Sequence, residues 1–351
     1  MSCVFLSADR FAVAPMVDIT TSPFRRLARI FTRRAMLYTP MIVSDAVCRG
    51  RAQLLDFFPE ELPLTLQLGG CEPARLAAAA REGERRGYTA INLNAGCPSS
   101  RVQAGAFGAV LMKNLPLLCD CFKAMRDAVE IPVSVKTRIG VDSLDSPEFT
   151  LELAGKLYAC GCRHLILHAR KVWLKGLSPK ENRSVPPLDY ERIYAVRRHF
   201  SGLLVTLNGG LKDLKSCLEV LKQADGVMLG RAVVDNPYLL ASVDRKIFGE
   251  AASPKTRREI LTEAEELCAR FVAEGHELRH MARPLLNLFC GCRGSRRYRR
   301  FLSEHLSQEG VPTQLLEQAY AEMMRENDAR YRIMSDNADS DNADADNDLR
   351  D

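Results

Sequence analysis

The sequence predicts an α/β protein: a closed (β/α)8 barrel of the TIM type, followed by a small C-terminal helical bundle. Three observations carry this expectation. From residue 11 to about 249, short apolar runs alternate with helical stretches about every 30 residues, the pattern of βα units in a parallel sheet. Eight such runs over about 240 residues suit a sheet closed on itself. Past Ser253-Pro254 the alternation stops and only helical periodicity remains.

The expected strands are Phe11–Pro15, Met36–Thr39, Leu64–Leu68, Ala90–Asn94, Val133–Thr137, His164–His168, Leu204–Asn208 and Gly226–Gly230. The first ends in Ala14-Pro15-Met16. It lacks the Gly-x-Gly-x-x-Gly turn that would mark an open doubly wound sheet. Between the strands lie helical patterns at Ser22–Thr32, Pro73–Arg86, Leu115–Val129, Glu148–Ala159, Tyr190–His199 and Leu211–Lys222, with a weak one near Val43–Gln53. The bundle is read as Lys255–Glu274, Leu278–Phe289, Ser295–Gln308 and Thr313–Asn327, with Pro312 breaking the chain between the last two. After Met334 the Asp/Asn/Ala repeats hold too little apolar surface to fold. The expected division is an N-terminal extension at 1–10, a barrel at 11–250, a helical domain at 255–330 and a disordered acidic tail at 335–351.

Composition narrows the function classes. No apolar run approaches the roughly 20 residues that span a bilayer, so no membrane partner is expected. Met1–Arg10 is too short and polar for a signal peptide. A cytoplasmic protein is expected, with an organelle open for a eukaryotic source. The twelve cysteines include three Cys-x-Cys pairs, at 119/121, 160/162 and 290/292. Structural zinc ligands are usually spaced by about two to four residues, so no metal is expected and buried reduced thiols are preferred. The formal net charge of +5 hides an asymmetry. Asp336–Asp351 holds seven Asp and one Arg, so the rest of the chain carries +11. A body this basic favours a polyanionic partner.

Barrel sites are built at the C-terminal ends of the strands. Reading those ends in order collects Gln67-Leu68-Gly69-Gly70, Asn94-Ala95-Gly96-Cys97-Pro98, Lys136-Thr137-Arg138, His168-Ala169-Arg170, Asn208-Gly209-Gly210 and Gly230-Arg231. Polar residues at one rim contrast with an interior expected to be Val, Ile and Leu. Gly209, Gly210 and Gly230 let backbone N–H groups approach an anion, and Arg231 adds a fork of donors, so the last two ends read as a phosphate cup. Lys136 and His168 can donate to the anionic edge of an isoalloxazine ring, and Gln67 and Asn94 to its pyrimidine edge. The bland reading of His168 is a satisfied core residue. Cys97 sits in a Gly-Cys-Pro turn that can present a thiol over the barrel mouth; its bland reading is a small buried hydrophobe. Ser99–Met112 is longer than a tight turn and is read as a lid.

These residues resemble the tRNA-dihydrouridine synthases. The matching strings are APM at 14–16, LQLGG at 66–70, INLNAGCPS at 91–99, VKTRIG at 135–140, HAR at 168–170, NGG at 208–210 and GR at 230–231. WLKGLSPKENRSVPPLDY at 173–190 and the segment at 279–304 are similar to the A-type bacterial subgroup. The resemblance covers about residues 11–325. It implies that Pro15, Met16, Val17, Gln67, Lys136, His168, Asn208, Gly209, Gly210, Gly230 and Arg231 hold FMN. It implies that NADPH reduces the flavin and leaves, that a D-loop uridine around position 20 then enters, and that FMN N5 delivers hydride to C6 while Cys97 protonates C5. An ordinary thiol, with a pKa of about 8.5, is mostly protonated at neutral pH and suits an acid. The target base must leave its stack to reach the flavin. One departure is Thr39-Pro40-Met41, where the family usually has Glu after the Thr.

The RNA surface is read from charge. Residues 270–300 hold eight Arg against two acids, with Arg293, Arg296, Arg297, Arg299 and Arg300 grouped around Tyr298. Such a patch contacts phosphates and recognises folded RNA by shape. Lys175, Lys180 and Arg183 lie on the long loop after the sixth strand. In the resembling subgroup this loop and the bundle arginines jointly orient the tRNA. Asn94, Arg138 and Arg170 are assigned to the extruded nucleotide and its phosphates. A monomer is expected, one chain serving one tRNA. Two alternatives stay open: an FMN barrel enzyme reducing a free pyrimidine or small enone, and an RNA-binding protein without catalysis.

Overall fold

The structure, a computed structural model, describes residues 7–306 and 314–325. The expected acidic tail, residues 1–6 and the ends of the last two predicted helices lie outside the described residues. The barrel elements run β1 (Phe11–Val13), α1 (Ser22–Phe31), β2 (Leu37–Tyr38), β3 (Ile42–Val43), α2 (Ser44–Cys48), β4 (Leu64–Gly69), α3 (Pro73–Arg85), β5 (Ala90–Asn94), α4 (Ser100–Ala104), α5 (Leu115–Arg126), β6 (Val133–Arg138), α6 (Pro147–Ala159), β7 (His164–His168), α7 (Tyr190–His199), β8 (Leu204–Asn208), α8 (Leu214–Val220), β9 (Gly226–Leu229), α9 (Arg231–Asp235) and α10 (Val243–Lys246). Every strand pairing is parallel, in the order β1-β9-β8-β7-β6-β5-β4-β2. The two ends of that order meet. Ala12 bridges Met36, and Val13 N donates to Met36 O at 2.9 Å. The sheet is therefore a closed barrel, as expected from the eight-fold alternation.

Local chemistry sets the helix starts. Asn114, Ser146 and Asp189 accept from the backbone N–H three residues on, opening α5, α6 and α7. Asp213 caps α8 through Ser216 N, which moves its start from the expected Leu211 to Leu214. The second strand is shorter than expected. Leu37 and Tyr38 pair with Leu64 and Thr65, and pairing resumes only when Ile42 meets Leu68, with one extra residue bulged on this strand. Pro40 lies in the interruption and has no N–H to continue the ladder. Ser99–Met112, read as a lid loop, is instead α4 followed by a 3-10 turn (Gly108–Lys113), with Val102, Phe107, Leu111 and Met112 buried.

The interior corrects the expectation of Val, Ile and Leu. Alternation along each strand sends the large aliphatics, such as Leu64, Leu66, Leu165 and Leu167, to one face. The opposite face carries Tyr38, Thr65, Gln67, Asn92, Ser134, Lys136, His164, Thr206 and Asn208. Lys136 on β6 reaches Asn208 on β8 at 3.0 Å, past the intervening β7, so these side chains meet inside the barrel. Gln67, Asn92 and Ser134 form a hydrogen-bonded row at 2.8 and 2.9 Å, and His164 meets Thr206 at 2.8 Å. Buried polar groups are tolerable here because they satisfy one another.

One buried ion pair fixes α1 against the approach to β4. Glu61 is fully buried and accepts from Arg25 Nε at 2.6 Å, from Phe58 N at 3.0 Å and from Ser22 Oγ. Removing the carboxylate strands a buried guanidinium. Glu61→Ala is expected to lower unfolding stability by about 3–5 kcal/mol, read from the midpoint and slope of chemical denaturation. An unchanged midpoint contradicts this.

The chain separates into two compact units at Pro254, except that Val234–Tyr238 belongs with the second. That unit contains α11 (Arg257–Ala273), α12 (Leu278–Ala282), α13 (Ser295–His305) and a helix at 315–325. The expected helix Leu278–Phe289 breaks after Ala282 into a 3-10 turn (Arg283–Asn287), where Pro284 removes a backbone donor. Among the described residues, no helix is long and apolar enough to cross a membrane.

Candidate active site

The strand ends that the sequence assigns to the rim bring a cluster of cations together. Burial pushes the Lys136 ammonium down to about 7, with Arg138 adding repulsion. Burial also holds His168 well below the ordinary imidazole range, and the charges acting on it come from Arg138, Lys136, Arg170 and Arg231, all cations. His168 is therefore neutral near pH 7. Its Nδ1 accepts from Arg170 N at 3.2 Å, which leaves the ring hydrogen on Nε2 as a donor. Arg170 Nη1 donates to Pro186 O, while its Nε is buried without a hydrogen-bond partner among the described residues. Clustered cations with an unpartnered donor call for an anion.

The backbone around the cluster is cut to admit one. Gly209 has φ +106°, and a Cβ there would stand 3.1 Å from the His168 ring, so only glycine lets the chain pass so close to the imidazole. At Gly230 a Cβ would meet nothing nearer than Met16 Sδ at 3.5 Å, so the protein alone does not require glycine there. The missing side chain leaves open backbone beside Arg231, whose Nη2 donates to Arg183 O at 3.0 Å. Pro15, Met16 and Val17 follow β1. Met16 N is taken by Thr20 Oγ1 at 3.0 Å, and Val17 projects outward at 58% exposure.

Gln67 and Asn94 stand differently from the sequence reading. Gln67 Nε2 donates to Asn92 and its Oε1 accepts from Asn94 Nδ2 at 2.9 Å, so each end keeps only one hydrogen or lone pair for a ligand. Asn94 Oδ1 accepts from Gly96 N at 3.1 Å and Cys97 N at 3.0 Å. Asn94 thus shapes the turn that carries Cys97. The thiol is half-buried, 3.6 Å from Ser99 Oγ.

Arg138 is built into the wall of the site. Expected against a phosphate, it is only 5% exposed and donates to Gly96 O at 3.1 Å, Lys171 O at 3.1 Å and Asn182 O at 2.9 Å. It straps the Cys97 turn to the loop after β7. That loop is ordered around Asn182, a fully buried residue the sequence reading missed. Its amide accepts from Trp173 N at 2.8 Å and donates to Trp173 O at 2.9 Å. Lys175, Lys180 and Arg183 lie on the outside of this loop and are exposed.

In the second unit Arg296, Arg299 and Arg300 are exposed. Arg297 is half-buried and paired with Glu322 at 3.0 Å. Tyr298, expected among the surface arginines, is fully buried, its ring 4.7 Å from that of Phe289. Its place on α13 turns it away from the basic face. Five of the described cysteines are buried, at 119, 121, 162, 217 and 268, and all described cysteines are free. Among the described residues, no group of three or more His, Cys, Asp or Glu could hold a metal ion.

A family model described as dihydrouridine synthase (Dus) matches residues 12–325. Several proteins named tRNA-dihydrouridine(20/20a) synthase are similar over most of the chain. That of Pasteurella multocida is 46% identical over 310 residues, covering 88% of this chain and 95% of its own. That of Escherichia coli is 47% identical over 313 residues, covering 89% and 91%. That of Vibrio vulnificus is 45% identical over 320 residues, covering 91% and 98%.

Proposed function

Because this chain belongs to the dihydrouridine synthase family, we propose that it reduces the C5–C6 bond of D-loop uridines in tRNA, at positions 20 and 20a, using bound FMN and NADPH. The observation that carries this reading is a rim where Arg138, Lys136, Arg170 and Arg231 all act on His168, with a backbone-pinned cysteine at its edge. The residues present fit a flavin mononucleotide. Gly209, Gly210, Gly230 and Arg231 would take its phosphate, with Arg170 Nε facing the same cluster. Lys136 Nζ and His168 Nε2 would donate to its ring, Gln67 and Asn208 would line it, and Pro15, Met16 and Val17 would cover it. When bound, the flavin supplies hydride to uracil C6, having taken it from NADPH.

The chain's own residues do the rest. Cys97 holds a proton at Sγ for uracil C5, and the Asn94-shaped turn aims it. Asn94 keeps a second Nδ2 hydrogen for the base. Arg170, Lys175, Lys180 and Arg183 meet phosphates near the extruded nucleotide, and Arg138 holds the walls they stand on. Arg296, Arg297, Arg299 and Arg300 contribute a basic face from the 255–330 domain, and one chain serves one tRNA. The test is the visible spectrum of the purified protein given FMN, followed by NADPH-dependent conversion of an unmodified tRNA transcript and of free uridine. Dihydrouridine in the transcript alone supports the reading. Conversion of the free pyrimidine instead favours a small-molecule reductase. Failure to bind flavin overturns both.

The arginines should separate. Arg296→Ala removes an exposed cation and should lower the slope of log affinity against log salt by about 1, with stability unchanged. Arg297→Ala also breaks the pair with Glu322 and should destabilise the second unit. Filter binding across a salt series, with melting curves, checks both.

A further inference from the structure

Five backbone polar groups belong to Gly96, Cys97 and Pro98, since proline has no N–H, and all five are satisfied. Gly96 N and Cys97 N donate to Asn94 Oδ1, Gly96 O accepts from Arg138 Nε, and Cys97 O accepts from Ala109 N at 3.0 Å. The fifth, Pro98 O, accepts from Gln103 Nε2 at 2.7 Å. The same nitrogen donates to Leu174 O at 2.8 Å, so one amide group joins the carbonyls of Pro98 and Leu174 from two separate segments. Leu174 is itself pinned through its N–H, which donates to Asp142 Oδ1 at 2.8 Å. The next residue is Lys175, on the exposed basic loop.

The geometry points to Gln103 as a positioning residue that couples occupancy of the basic 171–185 loop to the placement of the Cys97 thiol. Nothing in the proposed chemistry needs Gln103 itself: both hydrogens of its carboxamide go to backbone carbonyls. A polyanion docking on Lys175, Lys180 and Arg183 loads the strand of chain that carries the Leu174 carbonyl. Any shift of that carbonyl is felt by the shared amide, and through it by Pro98 O, one residue from Cys97. The aim of an acid matters because a misplacement of about 1 Å can cost on the order of a hundredfold in rate. The inference rests on the reading that Cys97 serves a tRNA uridine.

The test uses the full chain with FMN bound and compares the unaltered protein with Gln103→Leu, Lys175→Ala and the double variant. Gln103→Leu keeps the bulk and removes both hydrogens. It should leave the rate of flavin reduction by NADPH unchanged, lower kcat on tRNA about tenfold or more, and hold KM within about twofold. Lys175→Ala should raise KM and lower kcat. In the double variant the KM increase should remain, while kcat falls no further than with Gln103→Leu alone. Independently, alkylation of Cys97 by iodoacetamide, followed by peptide mass spectrometry, should speed several-fold in Gln103→Leu while exposed Cys48 reacts as before. Unchanged kcat, multiplying kcat effects, unchanged Cys97 labelling, or loss of flavin reduction in step with kcat would each overturn the coupling. If the unaltered protein makes no dihydrouridine, it is the functional reading that falls. The labelling then still decides whether Gln103 holds the turn.

Discussion

Cys97→Ala is expected to lower dihydrouridine formation by about 10²–10⁴-fold while NADPH still reduces the bound flavin. Saturating the uracil C5–C6 bond needs a proton at C5 as well as hydride at C6, and a general acid contributes on that scale. The substitution removes one sulfur from a turn whose backbone is otherwise fully bonded, so the fold should not move. Cys97→Ser keeps the geometry but offers a far weaker acid, and should recover little of the rate. Mass spectrometry of tRNA nucleosides under single-turnover conditions, beside stopped-flow bleaching of the flavin, separates the two half-reactions. Retention of more than about a tenth of the rate in Cys97→Ala would show that the proton comes from elsewhere.

The second large effect belongs to Lys136. In the protein alone its ammonium is pushed down to about 7, against 10.5 for an ordinary lysine. Between those values the unfolded chain holds a proton that the folded chain has lost. This group's contribution to stability therefore rises with pH from about 7 to about 10.5, and is flat below pH 7, where both states are charged. An anion at the rim favours the ammonium and raises its pKa. Binding FMN near pH 8 should thus take up a proton, and the affinity should weaken as pH rises. Lys136→Met should abolish the proton uptake and weaken FMN binding by about 10- to 100-fold, the scale of one hydrogen bond to a charged group. Titration calorimetry in two buffers of different ionisation enthalpy measures the uptake. Uptake that persists in Lys136→Met would place the titrating group elsewhere.

The rim was legible because strand ends are marked by local signals. Asn94, Lys136, His168 and Asn208 each close an apolar run, and the fold rule says that such residues face one mouth. The roles of several of them were not legible. Arg138 follows Lys136 by two residues, and sequence alone placed Lys136 on FMN and Arg138 on a tRNA phosphate. In the structure Arg138 meets three carbonyls from segments 33 to 44 residues distant. Tyr298 read as part of a basic surface, but the helical period sends it inward against Phe289. Gln103 and Asn182 carried no signal, because a single amide is unremarkable until its partners are known.

Covalent order by itself determined the barrel, the helical C-terminal part and the family, because βα alternation, helix caps and the strings at 91–99 and 135–140 are local in the chain. Tertiary structure alone decided that buried polar side chains pair across the barrel interior beside an apolar cluster, that Asn94 and Arg138 fix the Cys97 turn, and that the basic loop shares a donor with that turn. Those outcomes depend on which distant carbonyl or amide a side chain meets. Hydrogen bonding satisfies buried groups wherever closure brings them together, and spacing along the chain does not encode that meeting.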